Sequence, residues 1–409
     1  MNLSFIQFTD MHVGSSVSFP GIVRQAGENL TSAINEINDS SFKPDFILAT
    51  GDCTNAGGND LLIYKQLIGR LNLPVYSIPS SHDLALRSLP GGGMILNDNP
   101  EQWEKNIGPA RFAFVHNGVK LILFEPFKKM SETRGENDFD ESAQAWLEAE
   151  LAGDEKTPKF IGYHIPVLPA KGGYIGWRNA DKFLNLIGKY NIIALISGHR
   201  HRNAEDKIGN NITQIQTGPL AGFQWTGLPP HYWFPVRAGY RMFRLEGNKI
   251  FSFYKEVGVK NQVNLEHIGR AHTQGPRPQV RPAVIHGDLT ISTQAYSEES
   301  RIKKVEYSLK NDKWQPMVKY FDDVWSEWQA DLALKKLNNG FDVIVVRSVN
   351  GNDEYAYDSV PVLIRKDPSD PESVVSGPET VFELITQPLE AEYLNDRLMG
   401  LFPWRSIPQ

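Results

Sequence analysis

Five apolar runs in the first half of this chain each end in a short motif of Asp, His and Gly. Apolar runs of about four to eight residues that are bounded by such residues are typical of buried β-strands. This pattern constrains the chain to a fold in which several strand ends carry chemically reactive side chains. The five motifs are Asp10-Met11-His12, Gly51-Asp52, Ser81-His82-Asp83, His164 and Gly198-His199-Arg200-His201.

Segments with helical periodicity separate these runs. Apolar residues recur with helical spacing in residues 30–37, and comparable spacing occurs in residues 61–68 and 143–151. Strands that alternate with helices predict an α/β fold with a mostly parallel or mixed sheet covered on both faces. Ligands bind such sheets at the carboxyl ends of the strands, which is where all five motifs lie.

The length of 409 residues exceeds what one hydrophobic core usually supports, which predicts two domains. Residues 1–257 carry the strand-and-helix pattern and form the predicted catalytic domain. Residues 258–283 lose periodicity and collect prolines, which indicates a linker. Short strands with polar turns predict a small β-sandwich of the Ig or fibronectin type over residues 284–366, followed by a C-terminal extension over residues 367–409.

Composition excludes several classes of protein. A formal net charge of -6 argues against general nucleic-acid binding, because that affinity depends on Lys and Arg neutralising phosphates. The single cysteine, Cys53, excludes an intrachain disulfide and a cysteine-rich metal site. No signal peptide and no run near ~20 apolar residues is present, so we expect a cytoplasmic protein without a membrane span.

The motif side chains are suited to binding metal ions. Asp10 and His12 offer an oxygen and a nitrogen to one ion, and the two oxygens of Asp52 can bridge two ions. His199 and His201 would divide between the ions, and His164 would complete the second site. Oxygen and imidazole ligands without thiolate suit Mn, Zn or Fe. Two ions ~3.5–4 Å apart stabilise the attacking and leaving oxygens and activate a bridging water as the nucleophile.

His82 and Asp83 suit a different task. A histidine beside the ions can donate a proton to a leaving alkoxide, and a carboxylate can orient that histidine and favour its protonated form. Arg200, between two predicted ligands, can contact a phosphate oxygen or simply cover the site.

Together the motifs resemble those of the calcineurin-like metallophosphoesterases, in particular a bacterial branch of phosphodiesterases, over about residues 3–255. The resemblance implies a four-layer α/β/β/α sandwich, a dinuclear metal centre and phosphoester hydrolysis. It also implies that Asp10, His12, Asp52 and His201 hold one ion, that Asp52, His164 and His199 hold the other, and that His82 protonates the leaving group.

One position departs from this family. The family usually has Asn where this chain has Ser81, with the Asn oxygen on the second ion. A serine hydroxyl is a weaker ligand, so the sequence predicts a weakly held second ion or support from another group such as Asn55. A changed metal preference and an unusual substrate both stay open.

Aromatic residues concentrate in one later loop, residues 218–235. Trp225 and His231 in this loop are candidates for contact with the organic part of a substrate. Packing against the second domain or a partner subunit is the alternative, so a homo-oligomer formed through this loop or the C-terminal domain stays open. Specificity is expected to reside in loops 84–105, 171–178 and 218–237.

The sequence therefore predicts a metal-dependent hydrolase, most simply a phosphodiesterase acting on a small organic phosphoester through a metal-bound hydroxide, with His82 as general acid. A phosphomonoesterase, or a metallohydrolase with a non-phosphate substrate, is the first alternative. A binding or scaffold protein with the same fold and impaired catalysis is the second.

Overall fold

A computed structural model describes residues 2–14, 20–88, 94–96, 100–125, 137–167, 177–201, 203–222, 237–267, 283–309 and 313–366 of the chain. The chain divides into two compact units, Met1–Gly258 and Val259–Gln409. Among the described helices, none combines the length and the apolar character needed to cross a membrane.

The first unit alternates strands and helices. Its described helices are α1 (Pro20–Asp39), α2 (Asp60–Ile68), α3 (Glu101–Asn106), α4 (Glu141–Leu151) and α5 (Ala180–Ile187). Its described strands are β1 (Asn2–Phe8), β2 (Phe46–Thr50), β3 (Val75–Ile78), β4 (Ala85–Ser88), β5 (Met94–Leu96), β6 (Phe112–His116), β7 (Val119–Leu123), β8 (Asn137–Asp138), β9 (Lys159–Gly162), β10 (Trp177–Arg178), β11 (Ile192–Ser197), β12 (Ala204–Ile208), β13 (Ile212–Gln216), β14 (Gly239–Glu246) and β15 (Lys249–Glu256).

Two mixed sheets form the centre of this unit. The first sheet has the strand order β15-β14-β1-β2-β3, and the second has the order β12-β13-β11-β9-β7-β6. The strands β1, β2 and β3 are parallel to one another, as are β7, β9, β11 and β13. The ends of β1, β2, β9 and β11 that precede the motifs therefore lie at the carboxyl edges of the two sheets.

The two sheets pack face to face through an apolar core. Side chains alternate between the faces of a strand, so Leu3 and Phe5 of β1 point into this core together with Phe46 of β2 and Phe243 of β14. Phe5 stacks between these two rings, at centroid distances of 5.7 Å from Phe46 and 4.6 Å from Phe243. The second sheet contributes Leu121, Leu123, Phe160, Ala194, Ile196 and Ile215.

Helices supply the outer layers. Buried residues at helical spacing on α1, among them Leu30 and Ile34, provide apolar surface for the first sheet, whose β1 is buried on both faces. On the second sheet, Leu147 of α4 and Phe183 of α5 join a cluster with Tyr163. The predicted four-layer α/β/β/α arrangement is confirmed.

The described part of the second unit consists of strands and one short 3-10 helix, Leu334–Lys336, as expected for a small all-β domain. The described strands are β16 (Asn261–His267), β17 (Ala283–Ile285), β18 (Leu289–Ser297), β19 (Ile302–Leu309), β20 (Gln315–Pro316), β21 (Val318–Asp322), β22 (Trp325–Leu332), β23 (Gly340–Asn350) and β24 (Tyr355–Ile364). They form the sheets β16-β18-β22-β21 and β17-β24-β23-β19-β20. Buried residues that include Val305, Trp328 and Ile344 make its core.

The predicted linker over residues 258–283 needs correction in its first part. Residues Asn261–His267 form β16, which pairs in antiparallel register with β18. Val263 in this strand is fully buried, because the strand is part of a sheet of the second unit. The sequence around residues 261–267 does not indicate this pairing. The rest of the linker up to residue 282, and the predicted C-terminal extension, lie outside the described residues.

Candidate metal centre

The strand ends bring six predicted ligands to one place. Asp10 and His12 follow β1, Asp52 follows β2, His164 follows β9, and His199 and His201 follow β11. Their ligand atoms form groups that could hold a metal ion, with atoms within 4.8 Å of one another in each group. The groups are Asp10, His12 and His201; Asp52, His164 and His199; and His12, Asp52 and His82.

The first group centres on the carboxylate of Asp10, just after β1. Oδ1 of Asp10 lies 3.1 Å from Nε2 of His201 and 3.9 Å from Nε2 of His12. The two imidazole nitrogens are 3.3 Å apart. Asp10 is itself held by its neighbours, since Thr9 Oγ1 donates to Oδ2 at 2.8 Å and the backbone N–H of His199 donates at 3.0 Å.

Asp52 connects the two predicted sites. Its Oδ2 lies 3.0 Å from Nε2 of His164 and 3.7 Å from Nε2 of His12, so one carboxylate faces a ligand from each predicted site. Asp10 and Asp52 are both almost fully buried. This arrangement is what a bridging carboxylate requires, and the assignment of individual ligands to two ions stays a prediction.

The backbone at the ligands is unusual. Nine described non-glycine residues have positive φ, and five of them are predicted ligands: Asp10, His12, Asp52, His199 and His201, with φ between 44° and 65°. Such conformations cost about 1–3 kcal/mol each and persist where the surrounding structure imposes them, most often at functional sites. The strand ends therefore bend sharply to turn these side chains toward one point.

Two glycines allow this close approach. A Cβ at Gly198 would lie 1.9 Å from Oγ1 of Thr9 and 2.5 Å from Oδ2 of Asp10. At Gly51, where φ is 86°, a Cβ would lie 2.8 Å from the Cβ atoms of His164 and Ser80. Glycine is therefore required beside Asp52 and beside His199 for steric reasons.

The tautomer of His164 suits metal binding. Its Nδ1 lies 2.8 Å from the carbonyl oxygen of Thr50, which can only accept, so Nδ1 carries a proton. In the neutral ring, the lone pair of Nε2 then faces the carboxylate of Asp52. A cation or a second proton is needed between these two acceptors, and the oxygen and imidazole donor set fits a borderline divalent ion.

The charged side chains of the site shift one another's pKa values. Burial opposes the imidazolium of His164, but Asp52 and Asp10 outweigh it and raise its pKa to about 10. Burial and the charge of His164 lower the pKa of His199 to about 3. Burial raises the pKa of both carboxyls, yet the neighbouring histidines, His201 and His164 for Asp10 and His164 and His82 for Asp52, hold them well below the usual range.

The predicted role of Asp83 as the group that orients His82 is wrong. Nδ1 of His82 lies 2.8 Å from the carbonyl oxygen of Asn55. The carboxylate of Asp83 instead accepts from the backbone N–H groups of Cys53, Thr54 and Ser80, and from the Thr54 hydroxyl. Burial and repulsion from Asp52 raise the pKa of Asp83 to about 7, against these donors. Asp83 therefore connects the loops after β2 and β3.

Four predicted site residues remain, namely Ser81, Arg200, Trp225 and His231. Ser81 is half-buried in the turn before His82, and its role as a ligand stays a prediction. Arg200 is half-buried between His199 and His201, and its backbone N–H donates to Gly198 O at 2.7 Å. Trp225 and His231 lie outside the described residues, as do residues 89–93, 97–99, 171–176 and 223–236 of the loops assigned to specificity.

Sequence patterns did not reveal several residues that hold the ligands. The backbone N–H of His164 donates to the buried carboxylate of Glu125 at 2.5 Å. The carbonyl oxygens of Thr50 and Asn55 set the tautomers of His164 and His82. Glu125 directly follows the buried run that ends in Phe124, so its position at a strand end was the available signal. Contacts to backbone carbonyl oxygens cannot be predicted from side-chain identity, because every residue has such an oxygen.

Comparison with known proteins places this site in context. Residues 3–203 match the model of a family described as calcineurin-like phosphoesterase. A probable glycerophosphodiester phosphodiesterase from Arcobacter nitrofigilis is 26% identical over 213 residues, which cover 48% of this chain and 71% of the relative. A glycerophosphodiester phosphodiesterase from Enterobacter lignolyticus is 27% identical over 178 residues, which cover 41% of this chain and 60% of the relative.

Among solved structures, a dimetal phosphatase from Danio rerio is similar, with 13% sequence identity and a TM-score of 0.42. The similarity covers 62% of this chain and 98% of that protein.

Proposed function

We propose, from the match of residues 3–203 to the calcineurin-like phosphoesterase family, that this chain is a metal-dependent phosphodiesterase acting on small organic diesters. The observation that carries the proposal is the convergence of Asp10, His12, His164, His199 and His201 around Asp52. A metal-dependent hydrolase is the part of this function that the family match itself supports.

Two ions of Mn, Zn or Fe are the proposed cofactors. Asp10, His12 and His201 would hold one ion, His164 and His199 would hold the other, and Asp52 would contribute to both. When bound, such ions activate water and neutralise charge on a phosphoryl group. The residues described here bind and orient: Thr9 and the His199 amide hold Asp10, and the Thr50 carbonyl keeps the Nε2 lone pair of His164 directed at the site.

His82 is proposed to protonate the leaving oxygen. Its Nδ1 proton is committed to the carbonyl of Asn55, so Nε2 is the nitrogen that can exchange a proton with a substrate. One nitrogen of His82 lies within 4.8 Å of the ligand atoms of His12 and Asp52, close to where a phosphoester would bind. The ring is half-buried, which leaves it accessible to a leaving group.

The diester preference rests on similarity alone. Both relatives described above are named as glycerophosphodiester phosphodiesterases, at 26% and 27% identity. We therefore propose glycerophosphodiesters as the first substrates to test, with phosphomonoesters as the alternative.

The first experiment measures metal content and hydrolysis together. Purified protein supplied with Mn, Zn or Fe is analysed for metal and assayed with sn-glycero-3-phosphocholine, bis-p-nitrophenyl phosphate and p-nitrophenyl phosphate. We expect about two ions per chain, metal-dependent diester cleavage and loss of both in Asp52→Ala. His116→Ala is the matched control, because His116 belongs to none of the three ligand groups. Protein that binds no metal and cleaves none of these esters contradicts the proposal.

A second experiment isolates the role of His82. General acid catalysis contributes about 10²–10⁴-fold, and mainly when the leaving group is a poor one. We expect His82→Ala to lower turnover of sn-glycero-3-phosphocholine, with its alkoxide leaving group, by about 10²-fold or more, and that of bis-p-nitrophenyl phosphate much less. An equal loss for both substrates would show that His82 serves the site in another way, for example as a ligand.

A further inference from the structure

Side chains that point between the two sheets change from apolar to polar close to the candidate metal centre. On β1, Leu3 and Phe5 point into the core and Gln7 occupies the next position on that face. On β2, Thr50 is the next residue on the core-facing side after Leu48, which is the register partner of Gln7. Thr217 follows β13. Arg241 of β14 is the register partner of Gln7. Gln7, Thr50 and Thr217 are fully buried, and Arg241 is 4% exposed. We call these four residues the polar layer.

Gln7 joins the two sheets through its side-chain amide. Its Nε2 donates to Oγ1 of Thr50 at 2.8 Å and to the carbonyl oxygen of Ser197 at 3.2 Å. Its Oε1 accepts from Oγ1 of Thr217 at 2.6 Å. Thr50 belongs to the first sheet, whereas Ser197 ends β11 of the second sheet. One side chain thus connects both sheets at the level where the ligand loops begin.

Arg241 extends this connection to a ligand loop. Its Nε donates to Oγ1 of Thr217 at 3.2 Å, and a second nitrogen donates to Oγ of Ser252 at 3.1 Å. The third nitrogen donates to Oδ1 of Asn203 at 2.8 Å. Asn203 lies two residues after His201, and its Oδ1 also accepts from the backbone N–H of Gly218 at 3.0 Å.

Three branches of the polar layer, those through Thr50, Ser197 and Asn203, lead to residues next to predicted ligands. Thr50 is not a predicted ligand, but its carbonyl oxygen accepts a hydrogen bond from Nδ1 of His164. Ser197 lies two residues before His199, and Gln7 lies three residues before Asp10. Buried polar side chains cost free energy unless they are hydrogen-bonded, and apolar residues at these positions would simply extend the core. Their satisfied hydrogen bonds therefore point to a role in geometry.

We propose that Gln7 and Arg241 are positioning residues that set the spacing between the ligands of the two sheets. The first sheet supplies Asp10 and Asp52, and the second supplies His164, His199 and His201. Two ions can be held together only if these two sets stay in register, because each predicted site draws ligands from both sheets. This inference rests on the proposed function, and it concerns residues that are not themselves predicted ligands.

The test uses the full chain and measures metal binding directly. Gln7→Met keeps the length of the side chain and removes all three hydrogen bonds, and Thr217→Val removes the shared hydroxyl as a second, independent change. Binding of Mn²⁺ is measured by isothermal titration calorimetry, and kcat and KM are measured with bis-p-nitrophenyl phosphate. Phe5→Leu is the matched control, because Phe5 lies on the same face of β1 in the apolar part of the core.

We expect both polar-layer variants to bind Mn²⁺ about 10- to 100-fold more weakly, as is typical when groups behind metal ligands are removed. Their kcat should fall with little change in KM. Phe5→Leu should lower the melting temperature while its Mn²⁺ affinity stays at the wild-type value. Polar-layer variants that bind Mn²⁺ as tightly as wild type, or no more weakly than Phe5→Leu, would overturn this inference but not the proposed function. Wild-type protein that binds no Mn²⁺, Zn²⁺ or Fe would overturn the proposed function as well.

Discussion

At the scale of the residue, the candidate site is a problem of charge. Two buried carboxylates, Asp10 and Asp52, lie beside His164, whose pKa is raised, and His199, whose pKa is lowered. The metal-free protein resolves this by keeping a proton on His164, whereas His199 stays neutral. A metal ion would take the place of that proton.

Metal binding should therefore release one proton from His164. With a folded-state pKa of about 10, His164 is protonated at neutral pH and must lose its proton to expose a lone pair. We expect the affinity for Mn²⁺ to rise about tenfold per unit of pH between about pH 7 and pH 9. Calorimetry in buffers with different ionisation enthalpies measures the number of protons released.

The neighbouring histidine provides the control. His199 is neutral throughout this range, so His199→Gln should weaken binding and leave the proton count unchanged, whereas His164→Gln should abolish the release. Without metal, the raised pKa of His164 implies stability that is complete below about pH 6.5 and lost as the pH rises through about 10. Binding that is independent of pH would contradict this charge assignment.

A second prediction at this scale concerns Gly198. In Gly198→Ala, the new methyl group would collide with the side chains of Thr9 and Asp10, whose hydrogen bond supports the ligand. We expect the variant to fold less stably and to lose metal. Metal analysis and thermal unfolding measure both effects. Gly153→Ala is the control, because the added methyl group would meet no atom within 4 Å. Its positive φ means that this variant tests backbone strain without a steric collision.

At the scale of the element, the loops after the strands carry the chemistry, and contacts between loops hold them. Asp83 accepts hydrogen bonds from the loops that follow both β2 and β3, and so it links Asp52 to His82. This linkage, rather than an ion pair with His82, is the reason a carboxylate is needed there.

Asp83→Asn should therefore destabilise the protein although it changes only one atom in the side chain. An amide nitrogen cannot accept from two backbone N–H groups, so the loss should be about 1–3 kcal/mol. Urea unfolding at about pH 8, where the wild-type carboxyl is mostly ionised, measures it. In Asp140→Asn the same change affects the N-cap of α4, where Asn caps about as well as Asp, and stability should barely change. Equal losses in the two variants would contradict the proposed linkage.

At the scale of the whole molecule, all six predicted ligands and the polar layer belong to the first compact unit, Met1–Gly258. The second unit has its own core around Val305, Trp328 and Ile344. Each unit thus contains the apolar surface that cooperative folding requires.

Residues 1–258 expressed alone should therefore fold and bind the same number of metal ions as the full chain. Metal analysis and thermal unfolding of the shortened protein measure this. His201→Ala in the same shortened protein is the control for specific binding. A shortened protein that fails to fold would show that the second unit is needed for the stability of the first.

Sequence by itself determined the strands that precede the motifs, three of the helices and the set of residues expected at the site. Apolar runs that end in Asp, His and Gly motifs identify β1, β2, β9 and β11, because strands buried on both faces select apolar side chains. The ligands follow, since parallel strands place their carboxyl ends at one edge.

Only the tertiary structure decided how those residues are held. Gln7 and Arg241 became a pair through the register of β1 and β14, which depends on strands more than 200 residues apart. The partner of His82 proved to be the Asn55 carbonyl, because every residue has a carbonyl and sequence cannot distinguish one from another. Likewise Asn261–His267 became a strand through pairing with β18, since long-range pairing overrides weak local signals. Periodicity records which face is buried, whereas register and backbone contacts depend on the assembled chain.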